Sequence, residues 1–450
     1  MTHRVGAPGT RVAGLRTPVR PDRGDRVAHR PRSPTSGPDR RRVVAVSSTT
    51  GRNPQPAPER SLDLAGDVVD LAAAVCDVES VSGREGPLAD LVEDALRRLG
   101  AREGGAAHYE VLRDGDAVVA RTRLGRAERV VVAGHLDTVP LAGDDVPSRR
   151  EVVDGVDRLV ARGSTDMKGG VAMALSAAAA VADALATEPR RVPRDVTWVF
   201  YDHEEVDSAL NGLGRLARRR PDWLAGDVAV LGEPTNASIE GGCNGTLRAE
   251  VRLTGRAAHS ARSWVGLNAV HLAAPVLARL AAYEARSVEV DGLVYREGLN
   301  AVGISGGVAG NVIPDACTVT VNHRFAPCFT PAQAEEHVRG VFAGLEEEVG
   351  AEVVVVDAAP GARPGLDHPA ARDFVRQVLA RSGRQPVAKL GWTDVARFSE
   401  LGVPAVNFGP GDPLLAHTAG EWCPVEEVRE CREALLAWLL PTTTSAAAGR

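Results

Sequence analysis

The chain has 450 residues, 44% of them apolar and 25% charged, with a formal net charge of −6. That length predicts two or more domains with sizeable cores, and the acidic balance argues against nucleic acid as the main partner. No uninterrupted apolar run reads as a signal peptide or membrane span, so no membrane partner is expected. Six cysteines (Cys76, Cys243, Cys317, Cys328, Cys423 and Cys431) lack any C-x-x-C spacing. Reduced thiols in a cytoplasmic protein are therefore expected rather than a disulfide framework.

Residues 1–60 contain 13 Arg and 9 Pro but only 4 acidic residues. Prolines interrupt any apolar stripe, so this segment is expected to be a disordered extension or a stretch preceding the true start. A nucleic-acid-binding arm is the third reading, weakened because no aromatic residue interleaves the arginines. From Ser61 the pattern becomes globular, with helical apolar spacing over 63–78 and 87–99. Four strand-length apolar runs follow, RVVVAG (129–134), RLVARG (158–163), DVTWVFYD (195–202) and DVAVLG (227–232). An Ala-rich helix of about five turns separates the second from the third. Runs apolar on both faces, alternating with helices, predict a doubly wound, mostly parallel sheet over 61–243.

The character changes near residue 244. TLRAEVRLTG alternates with period two, a helix is predicted over 265–285, and NAVGISGG and CTVTVNHRF read as strands. A second helix starts at Thr330, with Pro331 in its first turn and Gln333 completing a capping box. EVVVVDAA (352–359) completes a β-α-β-β-α-β order, that of a ferredoxin-like α+β domain over 244–360. Residues 361–440 return to the first domain's pattern, and 441–450 form a tail.

The ends of the apolar runs carry the chemistry. The first delivers His135 and Asp137, the second Asp166, the third Glu204-Glu205 and the fourth Glu233; His417 follows the late run VPAVNFG. Ligands bind at the carboxyl ends of strands in open α/β sheets. A strand-end carboxylate alone is usually solvated, and a lone histidine usually a satisfied core residue. Five such coincidences at equivalent positions point instead to a His/carboxylate metal cluster suited to zinc, cobalt or manganese. Glu204 and Glu205, pointing opposite ways in extended chain, could divide into one ligand and one base.

The ordered set GHLDTVP, GSTDMKGG, HEEV…NGLG, GEPT and GPGD…AHT resembles the M20 family of di-zinc amidohydrolases over about residues 62–440. That resemblance implies a catalytic domain interrupted by a smaller lid and dimerisation domain, and two Zn2+ per subunit with Co2+ or Mn2+ as alternatives. It implies that His135 and Glu233 hold one metal, Glu205 and His417 the other, and that Asp166 bridges both. Asp137 would hydrogen-bond the His135 imidazole. Glu204 would be the general base, and His259 in GRAAHSA would reach across a homodimer as an oxyanion donor. Asn311 and Arg324 would bind the carboxylate end of a small acyl-amino-acid substrate.

Within the family, Glu at position 233 goes with acyl-amino-acid hydrolases. The stretch KLGWTDVARFSELGVPAVNFGPGDPLLAHTAGEWC is most similar to succinyl-diaminopimelate desuccinylases, implying release of succinate from N-succinyl-LL-2,6-diaminopimelate. N-acetylornithine deacetylation, or hydrolysis of another N-acyl-amino acid, is the alternative, and a non-catalytic metal binder is a further one.

Overall fold

Every residue of the strand Asp195–Tyr201 is buried, Asp195 and Thr197 included, as its mainly apolar sequence requires of a strand covered on both faces. It lies in an eight-stranded sheet of order Glu110–Asp114, Ala117–Arg121, Asp195–Tyr201, Arg129–His135, Val228–Leu231, Ala405–Asn407, Glu240–Gly241, Val387–Ala388. Arg129–His135 runs parallel to both neighbours, and Ala405–Asn407 parallel to Val228–Leu231. The sheet is mixed, because the first two strands and the contact of Ala405–Asn407 with Glu240–Gly241 are antiparallel. This computed structural model describes residues 61–100, 108–143 and 145–441. The expected 1–60 extension and 442–450 of the expected tail lie outside the described residues.

Strand alternation divides the core. Val130 and Val132 join one apolar cluster with helices Val68–Cys76, Lys168–Thr187 and Val425–Leu439. Val131 and Ala133 join another with helices Gly212–Arg219 and Val395–Glu400. The Lys168–Thr187 helix is, by length and composition, apolar enough to cross a membrane, which the sequence reading overlooked. Yet 83% of that apolar window is buried inside the protein, as in a core helix. Its Gly170 meets the strand end so closely that a Cβ there would lie 2.0 Å from the Gly232 carbonyl oxygen. Only glycine permits that approach, which fixes the backbone next to Glu233.

Two expectations are corrected. The run RLVARG is not part of the large sheet. Its strand, Val156–Val160, pairs antiparallel with Arg149–Val153 and Trp422–Pro424 in a separate three-stranded sheet. Only its last two residues are buried, so it does not need cover on both faces. The expected 265–285 helix is broken into Ala269–Leu272 and Ala274–Ala281: Asn268 caps the first, and Pro275 takes the first turn of the second.

The second sheet is antiparallel, with strands in the order Glu352–Ala359, Gly245–Thr254, Ala316–Phe325, Gly298–Gly306. Leu247, Ala249, Val251 and Leu253 turn into a core with helices Pro331–Val341 and Ala274–Ala281, while the alternate residues face the other way. Thr330 and Gln333 make the reciprocal capping box. A hairpin, Ser287–Val290 with Leu293–Arg296, was not anticipated. Both sheets lie within one contact unit, Glu59–Arg450.

Candidate active site

Adjacent strand ends bring the candidate residues together. His135 is the last residue of the strand Arg129–His135 and is fully buried. Its Nδ1 lies 3.0 Å from the Asp137 carbonyl oxygen and its Nε2 3.1 Å from Asp166 Oδ1. A carbonyl only accepts, so Nδ1 donates to it; Nε2, facing the Asp166 carboxylate, donates as well while the imidazole is protonated and offers its lone pair to a cation once that proton is lost. The Asp137 carboxylate is 3.6 Å from the imidazole, too far for the hydrogen bond expected of it. Its oxygens serve three other donors: the Glu204 N–H at 3.0 Å, the Glu205 N–H at 3.0 Å and the Ser82 hydroxyl at 2.7 Å. Asp137 thus fixes the loop that carries the paired glutamates.

Glu204 and Glu205 lie beyond the strand. The strand ends at Tyr201, and His203 takes a left-handed backbone, φ 59°, which turns the chain before the pair. Glu205 reaches His417 Nε2 at 2.9 Å, and the same nitrogen lies 3.3 Å from Asp166 Oδ2. One Asp166 oxygen therefore faces each histidine. His135, Asp166 and Glu233 each offer a ligand atom within 4.8 Å of one another, and so do Asp166, Glu205 and His417. The two groups share Asp166. Glu204 also falls within that distance of His135 and Glu205.

The electrostatics describe a cluster short of positive charge. Burial pushes the Glu204 carboxyl well above the usual range, with Asp394, Glu233 and Glu205 adding to it against His135. Burial likewise raises Glu205, and raises Glu233 to about 7 with help from Asp166. Hydrogen bonds to Asp166 and Glu205 raise the His417 imidazole to about 10. For Asp166, burial is outweighed by the two histidines, which hold its carboxyl below the usual value. Glu233 Oε1 is buried without a hydrogen-bond partner. A thiolate-free set of imidazoles and carboxylates, one oxygen orphaned and several carboxylates unwilling to ionise, fits divalent cations at two positions sharing Asp166.

A cavity of about 460 Å³ opens on Asp166, Glu204, Glu205, Glu233 and His417. A second, of about 410 Å³, runs from Glu204 to Arg324 on the smaller sheet, and Trp392 lines both. Burial lowers the Arg324 pKa, and no carboxylate pairs with it among the described residues. Its Nε donates to Asn322 Oδ1 at 3.0 Å. His259 and Asn311 line neither cavity. Both are exposed, and the Asn311 carbonyl accepts from the Ser260 N–H at 2.9 Å, beside a separate two-stranded ladder in which His259 pairs with Val312.

Sequence reasoning missed the support behind Asp166. Glu421 is 1% exposed, and its Oε1 accepts the N–H groups of Thr165 at 2.9 Å and Asp166 at 3.0 Å. Its Oε2 is 3.0 Å from Arg162 Nη1, which also donates to the Thr418 carbonyl at 3.1 Å; Arg162 Nη2 lies 3.1 Å from Asp145. The available signal was Glu421 following His417 by four residues within AHTAGE. Asp394 was also missed, a buried carboxylate bonded by Asn211 at 2.9 Å and Arg397 at 3.0 Å.

The sequence matches the profile of peptidase family M20/M25/M40 over residues 131–440. The chain belongs to this family. M20 membership makes it a metal-dependent hydrolase, consistent with the His/carboxylate cluster. The chain is 52% identical over 378 residues to a Mycobacterium tuberculosis protein named "Putative succinyl-diaminopimelate desuccinylase DapE", an alignment covering 84% of this chain and 99% of that protein. It is 46% identical over 379 residues to the succinyl-diaminopimelate desuccinylase of Corynebacterium glutamicum, covering 84% and 97% respectively. Among solved structures, a dinuclear metal-binding M20 peptidase from Bacillus subtilis shares the fold, with a TM-score of 0.58 at 15% identity, covering 83% of this chain and 96% of that one.

Proposed function

We propose that this M20 hydrolase removes succinate from N-succinyl-LL-2,6-diaminopimelate, leaving LL-diaminopimelate. The observation that carries the substrate is the 46% identity along nearly the whole length of the Corynebacterium glutamicum succinyl-diaminopimelate desuccinylase. His135, Asp166 and Glu233 would hold one divalent cation and Asp166, Glu205 and His417 the other, a reading supported by the two overlapping donor groups. Zinc suits these donors, with cobalt or manganese as alternatives. When bound, the cations supply polarisation of the scissile carbonyl and a lowered pKa for the attacking water.

The chain's own residues then divide the work. Glu204 takes the proton of the attacking water and passes it to the departing amine. In support, its carboxylate makes no side-chain hydrogen bond among the described residues and opens on both cavities. Asp137 holds the Glu204-Glu205 backbone in place through its two N–H bonds. Arg324 receives the substrate carboxylate beside the scissile amide, supported by its unpaired, partly desolvated guanidinium. The smaller sheet acts as lid and homodimer interface. Its edge strand Gly298–Gly306 pairs on one side only and exposes Val302 and Ile304. His259 and Asn311 would then complete the partner's site. The six unpaired thiols support a reducing, cytoplasmic setting.

The test is hydrolysis by the metal-loaded protein of N-succinyl-LL-2,6-diaminopimelate beside N-acetylornithine, with a chelator control. Chelator-sensitive preference for the first is expected. Preference for the second would keep the hydrolase and reject the substrate, and activity that survives full metal removal would reject the mechanism.

A further inference from the structure

The second cavity carries charges that the reaction at the cluster does not use. Its wall on the smaller sheet is one face of three adjacent strands, with Thr246 and Arg248 on the first, Asn322 and Arg324 on the second and Asp357 on the third. The chain lays them out in register. Thr246 faces Arg324 across one ladder, and Arg248 faces Asp357 across the other. Arg248 follows Thr246 by two residues, so it lies on the same face about 7 Å further along the strand.

The two arginines are held differently. Asn322 takes Arg324 by its Nε at 3.0 Å and gives its own amide to Thr246 Oγ1 at 3.2 Å, leaving the paired Nη atoms of Arg324 toward the cavity. Arg248 and Asp357 approach only to 3.8 Å, and their side chains are 49% and 45% exposed. As an isolated surface pair, that contact contributes little to stability. Its position is what distinguishes it. The same pair lines a cavity of about 410 Å³ whose other end is Glu204. Asp207, a further carboxylate lining that cavity from the segment after Glu205, is taken by its own turn, accepting the Ala209 N–H at 2.9 Å.

From this arrangement we infer that Arg248 and Asp357 form a subsite for a second α-amino-acid end of the substrate, Arg248 receiving its carboxylate and Asp357 its ammonium. The inference rests on the desuccinylase reading and deepens it. A substrate whose two α-carbons are joined by three methylenes spans about 5 Å between them when extended, from C–C bonds of about 1.5 Å. With Arg324 on the near carboxylate, the distal zwitterion reaches the next charged position on that face. There it exchanges one loose ion pair for two close charge-assisted contacts. Arg248 is then the residue that separates a diacid from an amine-ended acyl-amino acid.

The test compares N-succinyl-LL-2,6-diaminopimelate with N-succinyl-L-lysine, which keeps the distal ammonium and lacks the distal carboxylate. Arg248→Gln is expected to raise KM for the first by tenfold or more, with kcat little changed, and to leave N-succinyl-L-lysine untouched. Asp357→Asn is expected to weaken both substrates. Equal effects of Arg248→Gln on the two, or none on either, would overturn the subsite while leaving the desuccinylase reading intact. A wild-type enzyme inactive on both substrates overturns that reading and the subsite with it. Unchanged thermal melting of both variants shows that the KM shifts report binding.

Discussion

Replacing Glu421 with Gln perturbs the site from behind. The glutamine can still accept the Thr165 and Asp166 N–H groups on its oxygen, but its amide then meets Arg162 Nη1, donor against donor. Flipping the amide only moves the conflict to the two backbone donors. Breaking one partner of a buried ion pair costs about 3–5 kcal/mol, and Arg162 keeps Asp145 at 3.1 Å, so about 3 kcal/mol is expected. The roughly 370 described residues, at about 2.1 cal/mol/K each, give an unfolding entropy of about 0.8 kcal/mol/K, so the melting temperature should fall by about 4 °C. The loss should be unequal in its consequences. Asp166 belongs to both donor groups, and Thr418, bonded to Arg162, adjoins His417. Scanning calorimetry of metal-free protein should show the fall, and metal titration should show weaker uptake of both ions. A Glu421→Gln protein with wild-type melting and wild-type metal affinity would refute the reasoning.

Other outcomes follow from the same geometry. His417→Ala should leave one bound metal per chain instead of two, read by elemental analysis after dialysis, because His135, Asp166 and Glu233 are untouched. Gly170→Ala should cost several kcal/mol or prevent folding, since its methyl would meet the Gly232 carbonyl oxygen; soluble protein with wild-type stability would argue against that close approach. For Asp202, burial works to raise the carboxyl pKa, but the Arg215 hydrogen bonds and charge outweigh it and leave the value lowered. A depressed folded value stabilises above the unfolded pKa of about 4 and is lost as pH falls through the folded one. Asp202→Asn should therefore lower stability at pH 7 but converge on wild type in acid, as denaturant titrations at several pH values would show.

Much of this was legible in the sequence because the signals were local. Four of the cluster's residues, His135, Glu204, Glu205 and Glu233, end or closely follow mainly apolar runs, and such runs place their ends on one sheet edge. The capping box at Thr330 and the period-two strand Gly245–Thr254 are likewise encoded within a few residues. What escaped depended on distant partners. Val156–Val160 reads like a sheet strand but finds its neighbours at Arg149–Val153 and Trp422–Pro424, which no local pattern announces. Asp137 has both oxygens occupied by a loop some 67 residues away, so its backbone carbonyl, not its carboxylate, meets the imidazole. Glu421 escaped for the same reason: its donors lie about 255 residues upstream, and its nearness to His417 in the sequence does not announce them.

The central claim is that a cation-holding cluster and one proton-carrying glutamate hydrolyse a succinyl amide. Its most direct test is turnover of N-succinyl-LL-2,6-diaminopimelate by Glu204→Gln protein whose metal content is measured in the same sample. The expected result is a loss of a thousandfold or so, within the range for removing a general acid–base group, with metal content equal to wild type. Turnover within a few fold of wild type at full metal content would contradict it.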